Sequence, residues 1–258
     1  MKIALLQLDI VWEDVAASHA RAERLLETAA KGGARLAVLP EMFSTGFSMR
    51  PERVAQPPGG ASETFLRERA RVLGLWIVGG IPEKGEGRAR NVALVVSPAG
   101  EVTRYAKIHP FSFAGEDRQY VGGEGVVTVR IEGLRVTPFI CYDLRFPEPF
   151  RLAADRTDLY AVVSNWPEGR RAHLRTLLQA RAIENLAYVV GVNRTGEGGG
   201  VRYAGDSVAF SPWGEVLAEA GEAETVLFCD ADPEGVADAR ARFPALEDRR
   251  PAAYRLLG

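Results

Sequence analysis

Short apolar runs alternate along the chain with longer segments of helical period. Runs rich in Val, Ile, Leu and aromatic residues, typical of buried strands, occur at 2–8, 35–39, 75–80, 90–97, 101–106, 134–140, 159–164, 187–192, 206–211, 215–219 and 224–229. Apolar residues recur with helical spacing at 14–31, 61–73 and 171–186, and a further helix is predicted to start near Pro147. Because the strands are continuously apolar, both faces of their sheet must be covered, by helices or by a second sheet. The pattern predicts an α/β fold.

The alternation continues without a linker-like or low-complexity segment. We therefore predict a single domain over residues 1–258, since α/β folds of this size often form one unit. Residues 244–258, rich in Arg and Pro, are predicted to form an extended C-terminal tail.

Four polar residues follow buried strands in the predicted sheet region. Glu41, Cys141, Asn165 and Asn193 come at the ends of the runs 35–39, 134–140, 159–164 and 187–192. Ligands of such sheets gather at the carboxyl ends of the strands. The order of residues therefore predicts a site that combines a thiol, a carboxylate and two amides.

Composition and charge narrow the function classes. The chain is 47% hydrophobic and 26% charged, with a formal net charge of -2. Nucleic acid is disfavoured as the main partner, because phosphate binding needs a clustered positive excess. No apolar run approaches the ~20 residues needed to span a bilayer. The start, MKIALLQLDIVWED, turns acidic too early for a signal peptide, so we expect a cytoplasmic protein with two free thiols.

Sequence signals for cofactors and metals are missing. The chain contains neither GxGxxG nor GxxxxGK, the glycine-rich patterns that hold nucleotide phosphates. His19, His109 and His173 show no metal-ligand spacing, and neither cysteine belongs to a CxxC pair. We expect no metal and no cofactor.

Cys141 is the candidate nucleophile. It leaves a buried strand and enters a polar turn, CYDLRFPE, where backbone amides can hold an oxyanion. A lone cysteine is more often an inert buried thiol, and Cys229 keeps that interpretation. A nucleophile also needs a base, and Glu41 in LPEMF could accept the thiol proton. Lys107 in YAKIHPF could stabilise negative charge; it stands out because 28 of the 32 basic residues are Arg.

Three segments, LPEMFSTGFSM, YAKIHPF and CYDLRFPE, resemble in this order and spacing the Glu, Lys and Cys motifs of the nitrilase superfamily of carbon–nitrogen hydrolases. The downstream segments SNWP, QARAIENLAYVVGVNR, GDS and SPWGEVL extend the resemblance over nearly the whole chain. It implies an α-β-β-α sandwich, in which two mixed sheets face each other with helices outside.

The resemblance also implies roles for individual residues. Glu41 would be the general base and then the acid, and Cys141 would form a thioester with the acyl group. Lys107 and the backbone N–H of Tyr142 would form the oxyanion hole. A second glutamate positions substrate and lysine in this family. Glu116 in FAGEDRQY matches it best, with Asp117 and Glu124 as nearby alternatives.

The LPEMFSTGFSM and SNWP segments are most similar to the ω-amidase branch, which deaminates monoamides of 2-oxo dicarboxylic acids such as 2-oxoglutaramate. Such a substrate carries a distal carboxylate, for which Arg170 is the candidate partner. Phe43 and Trp166, with Phe47, are candidates for lining the pocket. Leu174 stands where relatives commonly place Trp, which leaves the pocket shape open.

Several alternatives stay open at the level of sequence. CYDLRFPE is also similar to the motif of deaminated-glutathione amidases, and nitrile or N-carbamoyl hydrolysis would use the same three residues. A non-catalytic binding protein on this scaffold would be expected to lack one of Glu41, Lys107 and Cys141, and all three are present. Family resemblance further implies a homodimer or larger homo-oligomer.

Overall fold

The computed structural model describes residues 1–254 and contains two six-stranded mixed sheets and a separate two-stranded hairpin. The strands are β1 (Lys2–Gln7), β2 (Leu36–Val38), β3 (Trp76–Glu83), β4 (Arg90–Val96), β5 (Val102–Ala106), β6 (Val129–Ile131), β7 (Leu134–Ile140), β8 (Leu159–Ser164), β9 (Tyr188–Asn193), β10 (Thr195–Gly198), β11 (Val201–Ala204), β12 (Val208–Phe210), β13 (Val216–Glu219) and β14 (Thr225–Asp230). The helices are α1 (Val15–Lys31), α2 (Pro51–Val54), α3 (Ala61–Leu73), α4 (Glu116–Gln119), α5 (Pro147–Ala153), α6 (Arg171–Asn185), α7 (Pro233–Arg242) and α8 (Pro251–Tyr254).

The two large sheets share one design. The first sheet has the order β14-β1-β2-β3-β4-β5, and the second has the order β13-β12-β9-β8-β7-β6. Three neighbouring strands are parallel in each sheet, β1-β2-β3 in the first and β7-β8-β9 in the second. The remaining strands pair antiparallel at the flanks. Because parallel strands end at the same edge, the residues that follow them are brought together there.

The layers form an α-β-β-α sandwich, as the resemblance implied. Helices α1 and α3 cover the outer face of the first sheet, where Ala22, Leu26, Leu66 and Ala70 are fully buried. Helices α5 and α6 cover the second sheet. Side chains of both sheets meet in one core between them. Both faces of each sheet are thus buried from solvent, which accounts for the uninterrupted apolar sequences of the strands.

Local signals set the helix boundaries. Asp14 caps α1, because its side chain accepts a hydrogen bond from the N–H of Ala17 at 2.9 Å, and Gly32 follows the last turn. Gly74 ends α3 in a left-handed conformation with φ of 66°. The predicted helices at 14–31, 61–73 and 171–186 are confirmed to within one residue at each end.

Some elements do not follow from the apolar pattern. Helix α7 was not predicted, because only Val236 and Ala239 of its residues are buried and the apolar stripe is too thin. The hairpin β10–β11 is short and rich in polar residues and glycine. The prediction of an extended tail over residues 244–258 is partly wrong, since α8 within it is helical. Residues 255–258 of the predicted tail lie outside the described part of the chain. No helix within residues 1–254 has the length and hydropathy needed to cross a membrane.

Asp143 connects the two sheets beside the predicted site. Its carboxylate is fully buried and accepts hydrogen bonds from the hydroxyl of Tyr105 at 2.7 Å and the N–H of Ile140 at 3.1 Å. It also accepts a hydrogen bond from the backbone N–H of His109 at 2.9 Å and forms a second one with the ring Nδ1 of His109 at 2.8 Å. Tyr105 and His109 flank Lys107, while Ile140 precedes Cys141. Asp143 therefore fixes the lysine segment of the first sheet against the cysteine turn of the second.

Asp143→Asn is expected to destabilise the fold. The side chain keeps its size, but its NH2 group then faces an N–H or O–H donor and leaves buried groups unpaired. The free energy of unfolding should fall by ~2–3 kcal/mol in urea denaturation at neutral pH. Tyr105→Phe is the matched control, because it removes one bond of the four and should cost only ~1 kcal/mol. An Asp143→Asn protein with the wild-type unfolding midpoint would contradict this role.

Candidate active site

Two carboxylates and an ammonium meet in the space between the sheets. Lys107, just after β5, places its Nζ 3.0 Å from Oε1 of Glu41 and 2.8 Å from Oε2 of Glu116. The side chains of Glu41 and Glu116 are fully buried, and that of Lys107 is 1% exposed. Buried charges are tolerated only when they are paired and hydrogen-bonded, as these are.

Two asparagines hold the carboxylates in place. The amide Nδ2 of Asn91 donates to Oε1 of Glu41 at 2.7 Å and to Oε1 of Glu116 at 2.8 Å. The backbone N–H of Asn165 donates to Oε2 of Glu41 at 2.8 Å. Both oxygens of Glu41 are therefore oriented by fixed donors, which leaves the carboxylate one well-defined position.

The backbone around Glu41 depends on a glycine in the neighbouring strand. Gly80 of β3 lies so close that a Cβ there would come within 2.6 Å of Cα of Glu41 and 2.7 Å of the backbone nitrogen of Met42. Met42 adopts a left-handed φ of 43°, and Phe43 donates its N–H to the carbonyl of Gly80 at 2.9 Å. The absence of a side chain at residue 80 thus lets the glutamate loop pack directly on the sheet.

Cys141 begins a tight turn in a strained conformation. It has φ of 44°, an unusual value for a residue with a side chain, and it begins the 3-10 helix Cys141–Arg145. Its Sγ lies 3.9 Å from the carbonyl oxygen of Asn165. The bonds of Asp143 to Ile140 and His109 support this backbone from both sides.

The charges set the protonation of the site. Burial alone would lower the pKa of Lys107, but the carboxylates of Glu116 and Glu41 outweigh it and raise the pKa well above its usual value. Burial and then the Glu41 carboxylate raise the pKa of Cys141 well above that of a free thiol, with Lys107 opposing them. Burial also raises the pKa of Glu116, and the nearby Glu41 adds to it. The resting site therefore contains an ammonium ion and a neutral thiol.

A cavity of about 290 Å³ opens onto Cys141 and Lys107. Its lining is mostly aromatic and aliphatic, with three cationic residues, and comprises Phe47, Lys107, Phe111, Phe113, Ala114, Cys141, Tyr142, Arg145, Asn165, Trp166, Pro167, Arg170, Val201 and Tyr203. The guanidinium of Arg145 lies 4.9 Å from the ring centre of Trp166, and that of Arg170 lies 5.5 Å from the ring centre of Phe111. Such a cavity suits a small molecule with one anionic group.

The structure brings most of the residues predicted for the site together. Cys141, Lys107, Tyr142, Trp166 and Arg170 line the cavity. Glu41 and Glu116 lie behind Lys107, bonded to its ammonium.

Other predicted residues lie elsewhere. Asp117 and Glu124, the alternatives to Glu116, are exposed. Phe43 requires a correction, because it is fully buried in the outer layer, with its ring centre 5.7 Å from that of His19. The left-handed Met42 changes the chain direction after Glu41, and Phe47 rather than Phe43 contributes to the cavity.

Sequence reasoning missed Asn91, Phe111 and Tyr203. The signal for Asn91 is a polar residue near the start of an otherwise apolar strand, RNVALVV. Tyr203 had no comparable signal, since the hairpin that carries it was not recognised. Among residues 1–254, no group of three or more His, Cys, Asp or Glu side chains is arranged to hold a metal ion.

The arrangement has the parts needed for acyl transfer through a thiol. A fixed carboxylate and an ammonium lie close to a neutral thiol, and the thiol and ammonium line a cavity whose other lining residues are mostly apolar. A carboxylate in this position can accept the proton of the thiol, and the ammonium can stabilise an oxyanion.

Comparisons with known proteins agree with this chemistry. The family model described as carbon-nitrogen hydrolase matches residues 2–241. The chain is 39% identical to an ω-amidase, YafV, of Escherichia coli (strain K12), over 96% of each chain. It is 30% identical to a 2-oxoglutaramate amidase of Bacillus subtilis (strain 168), over 98% of each.

A solved structure extends the likeness to the whole fold. An amidase from Nesterenkonia sp. AN1, with acrylamide added at its active-site cysteine, superposes with a TM-score of 0.89 at 28% identity over 100% of both chains. The family match and these relatives together cover nearly the full length of the chain. The protein therefore belongs to the carbon–nitrogen hydrolase family, the nitrilase superfamily, and is an amidase similar to enzymes of the ω-amidase branch.

Proposed function

We propose that this amidase hydrolyses the terminal carboxamide of a small carboxylic acid, such as 2-oxoglutaramate or 2-oxosuccinamate, to a carboxylate and ammonia. The observation that carries the proposal is the cavity, whose lining includes the thiol, the ammonium and two guanidinium groups that have no carboxylate partner within residues 1–254. The E. coli and B. subtilis relatives, an ω-amidase and a 2-oxoglutaramate amidase, support this substrate class.

The proposed reaction runs through a thioester. Glu41 accepts the proton of the Cys141 thiol as the sulfur attacks the amide carbon, and the carbonyl oxygen becomes an oxyanion. The ammonium of Lys107 and the backbone N–H of Tyr142 stabilise that oxyanion. Glu41 then gives its proton to the departing nitrogen, so that the C–N bond breaks and ammonia leaves. Glu41 then deprotonates a water molecule, whose oxygen attacks the thioester carbon. The C–S bond breaks, the carboxylic acid product leaves, and Glu41 returns the proton to the sulfur of Cys141.

The protonation states explain why a base is required. The raised pKa of Cys141 means that the thiol is neutral when the substrate arrives, so attack must be coupled to proton transfer. Lys107 stays charged because two carboxylates surround it. Glu116, through its bond to Lys107, would hold the ammonium toward the oxyanion.

Arg170 is proposed to bind the distal carboxylate of the substrate. Within residues 1–254, neither Arg170 nor Arg145 forms a salt bridge with an acidic side chain, although both line the cavity. Arg145 lies with one guanidinium nitrogen 3.2 Å from Nδ1 of His173, while Arg170 rests over the ring of Phe111. A guanidinium without a carboxylate partner beside an apolar cavity is suited to a bidentate bond with a substrate carboxylate.

A homodimer and a reducing compartment are further proposals. Leu152 of α5 and Ile183 of α6 are 79% and 51% exposed on the outside of the second sheet, and apolar side chains of this kind favour contact with a second copy. Catalysis needs Cys141 as a free thiol, which a reducing compartment such as the cytoplasm preserves.

Removal of the nucleophile tests the reaction. The wild-type protein should release ammonia from 2-oxoglutaramate, and intact-mass measurement after a short substrate pulse should find the acyl group on Cys141. Cys141→Ala should abolish both signals, because no other thiol is placed to attack. Cys229→Ala is the control and should keep activity, since Cys229 is buried in β14. Deaminated glutathione measured in parallel separates the two amidase readings, and ammonia release by Cys141→Ala would refute the mechanism.

A substitution of Arg170 tests carboxylate recognition. Arg170→Gln should raise KM for 2-oxoglutaramate by about tenfold to a hundredfold, the loss expected for a charge-assisted hydrogen bond, with kcat little changed. Hydrolysis of a short neutral amide should not change. Arg145→Gln is the matched variant from the same cavity. If it raises KM while Arg170→Gln does not, the carboxylate is assigned to the wrong arginine.

The protonation of the thiol can be measured without substrate. The pKa of Cys141 is raised in the folded state, so the thiol form should dominate at neutral pH and thiolate should appear only as the pH rises. The difference in thiolate absorbance between the wild type and Cys141→Ser should therefore stay flat up to about pH 9, above the ordinary thiol pKa of about 8.5. A thiolate step near neutral pH would show that Cys141 is already ionised and needs no base.

A further inference from the structure

Tyr203 lines the active-site cavity but has no part in the reaction described above. It belongs to β11 of the hairpin, and its side chain is almost fully buried at 4% exposure. Within residues 1–254 its hydroxyl makes no hydrogen bond, in contrast to Tyr105, Tyr120 and Tyr160, whose buried hydroxyls each have a partner. A buried tyrosine hydroxyl normally finds a partner, so a free one beside a cavity is available to a ligand.

The ring of Tyr203 is held rigidly from behind. The guanidinium of Arg194 lies 4.6 Å from its ring centre, and Arg194 is itself fully buried. Arg194 donates to the carbonyls of Thr195 at 2.9 Å, Ile10 at 3.0 Å and Glu197 at 3.0 Å. A cation fixed by three carbonyls is an unusually stiff support for an aromatic ring. The hydroxyl position is therefore set before any ligand binds, which lowers the entropy cost of a hydrogen bond to it.

Tyr203 is close both to the reacting groups and to the segment that carries the proposed carboxylate site. The hairpin strand β11 packs against the turn Glu168–Arg170, which carries Arg170. Burial and the nearby Glu41 and Cys141 raise the pKa of Tyr203, whereas the charges of Arg194 and Arg170 lower it. The phenol is therefore close enough to interact with the reacting groups and with Arg170. It remains protonated and can donate a hydrogen bond.

We propose that Tyr203 is a specificity-determining residue, whose hydroxyl donates a hydrogen bond to an oxygen that the substrate carries between its scissile amide and its carboxylate. This inference rests on the proposed function, and it deepens it by naming the residue that distinguishes amides of oxo or hydroxy acids from amides of plain aliphatic acids. For 2-oxoglutaramate the acceptor is the 2-oxo group. A site that offers a fixed donor discriminates against an analogue without the acceptor, because the donor is then left unpaired.

Two substrates and one substitution test the role of Tyr203. 2-Oxoglutaramate and glutaramate share the amide, the chain length and the carboxylate, but only the first has the 2-oxo oxygen. The wild type should prefer 2-oxoglutaramate in kcat/KM by about tenfold to a hundredfold, the range of one hydrogen bond in a buried site. Tyr203→Phe should remove most of that preference by raising KM for 2-oxoglutaramate, while the values for glutaramate stay within about twofold.

The control is Tyr188→Phe. It removes a tyrosine hydroxyl at the start of β9, the end of the strand away from Asn193, and should leave kcat/KM for both substrates unchanged. Circular dichroism and the melting temperature show whether Tyr203→Phe is folded, and the substrate pair tests the preference in the wild type independently of any variant. Equal losses on both substrates, or an unchanged ratio in Tyr203→Phe, would overturn the role of Tyr203. A wild type that releases ammonia from neither substrate would instead refute the proposed function, so the two failures are distinguishable.

Discussion

The active site depends on one buried ammonium ion shared by two carboxylates. Lys107 stays charged, because the buried carboxylates of Glu116 and Glu41 lie within hydrogen-bond distance of its ammonium and raise its pKa. The three groups come from separate parts of the chain, after β2, after β5 and in α4. Their attraction is strong only because both sheets and the loops between them exclude water. The sandwich therefore supplies the low dielectric in which these ion pairs are strong. In return, the ion pairs stabilise the converging loops that carry the three groups.

The second requirement is a fixed distance between this charge cluster and the thiol. Cys141 belongs to the second sheet, so any sliding of the sheets would separate it from Lys107. Asp143 opposes such sliding, since it bonds residues on both sides of Lys107 as well as the residue before Cys141. In the first sheet, Gly80 helps to fix the position of Glu41, because it allows the loop that carries Glu41 to pack on β3 without a side chain between them. Neither residue needs to touch a substrate to matter for catalysis.

Much of this architecture could be predicted from the sequence, and the limits have physical causes. Periodicity identified α1, α3, α6 and most strands, because those segments bury a continuous apolar face. Periodicity did not predict helix α7 or the hairpin β10–β11, since their stability comes from tertiary contacts such as those of Arg240 and Arg194 rather than from a local apolar pattern.

The candidate site shows the same division. Glu41, Lys107 and Cys141 stand out by motif, whereas Phe43 was placed in the pocket because a sequence offset does not reveal the left-handed turn at Met42. Asn91 carries a local signal, a polar side chain in an apolar strand, but its place in the site follows only from strand pairing, and Tyr203 has no local signal. One feature of that site, the neutral thiol, also bears on how long the enzyme survives. In the proposed mechanism Cys141 loses its proton only when a substrate is in place. Because oxidants and most electrophiles react with thiolate, such a cysteine would resist sulfenic acid formation between turnovers. Burial, together with the proposed base Glu41, would thus protect the thiol that the same base activates.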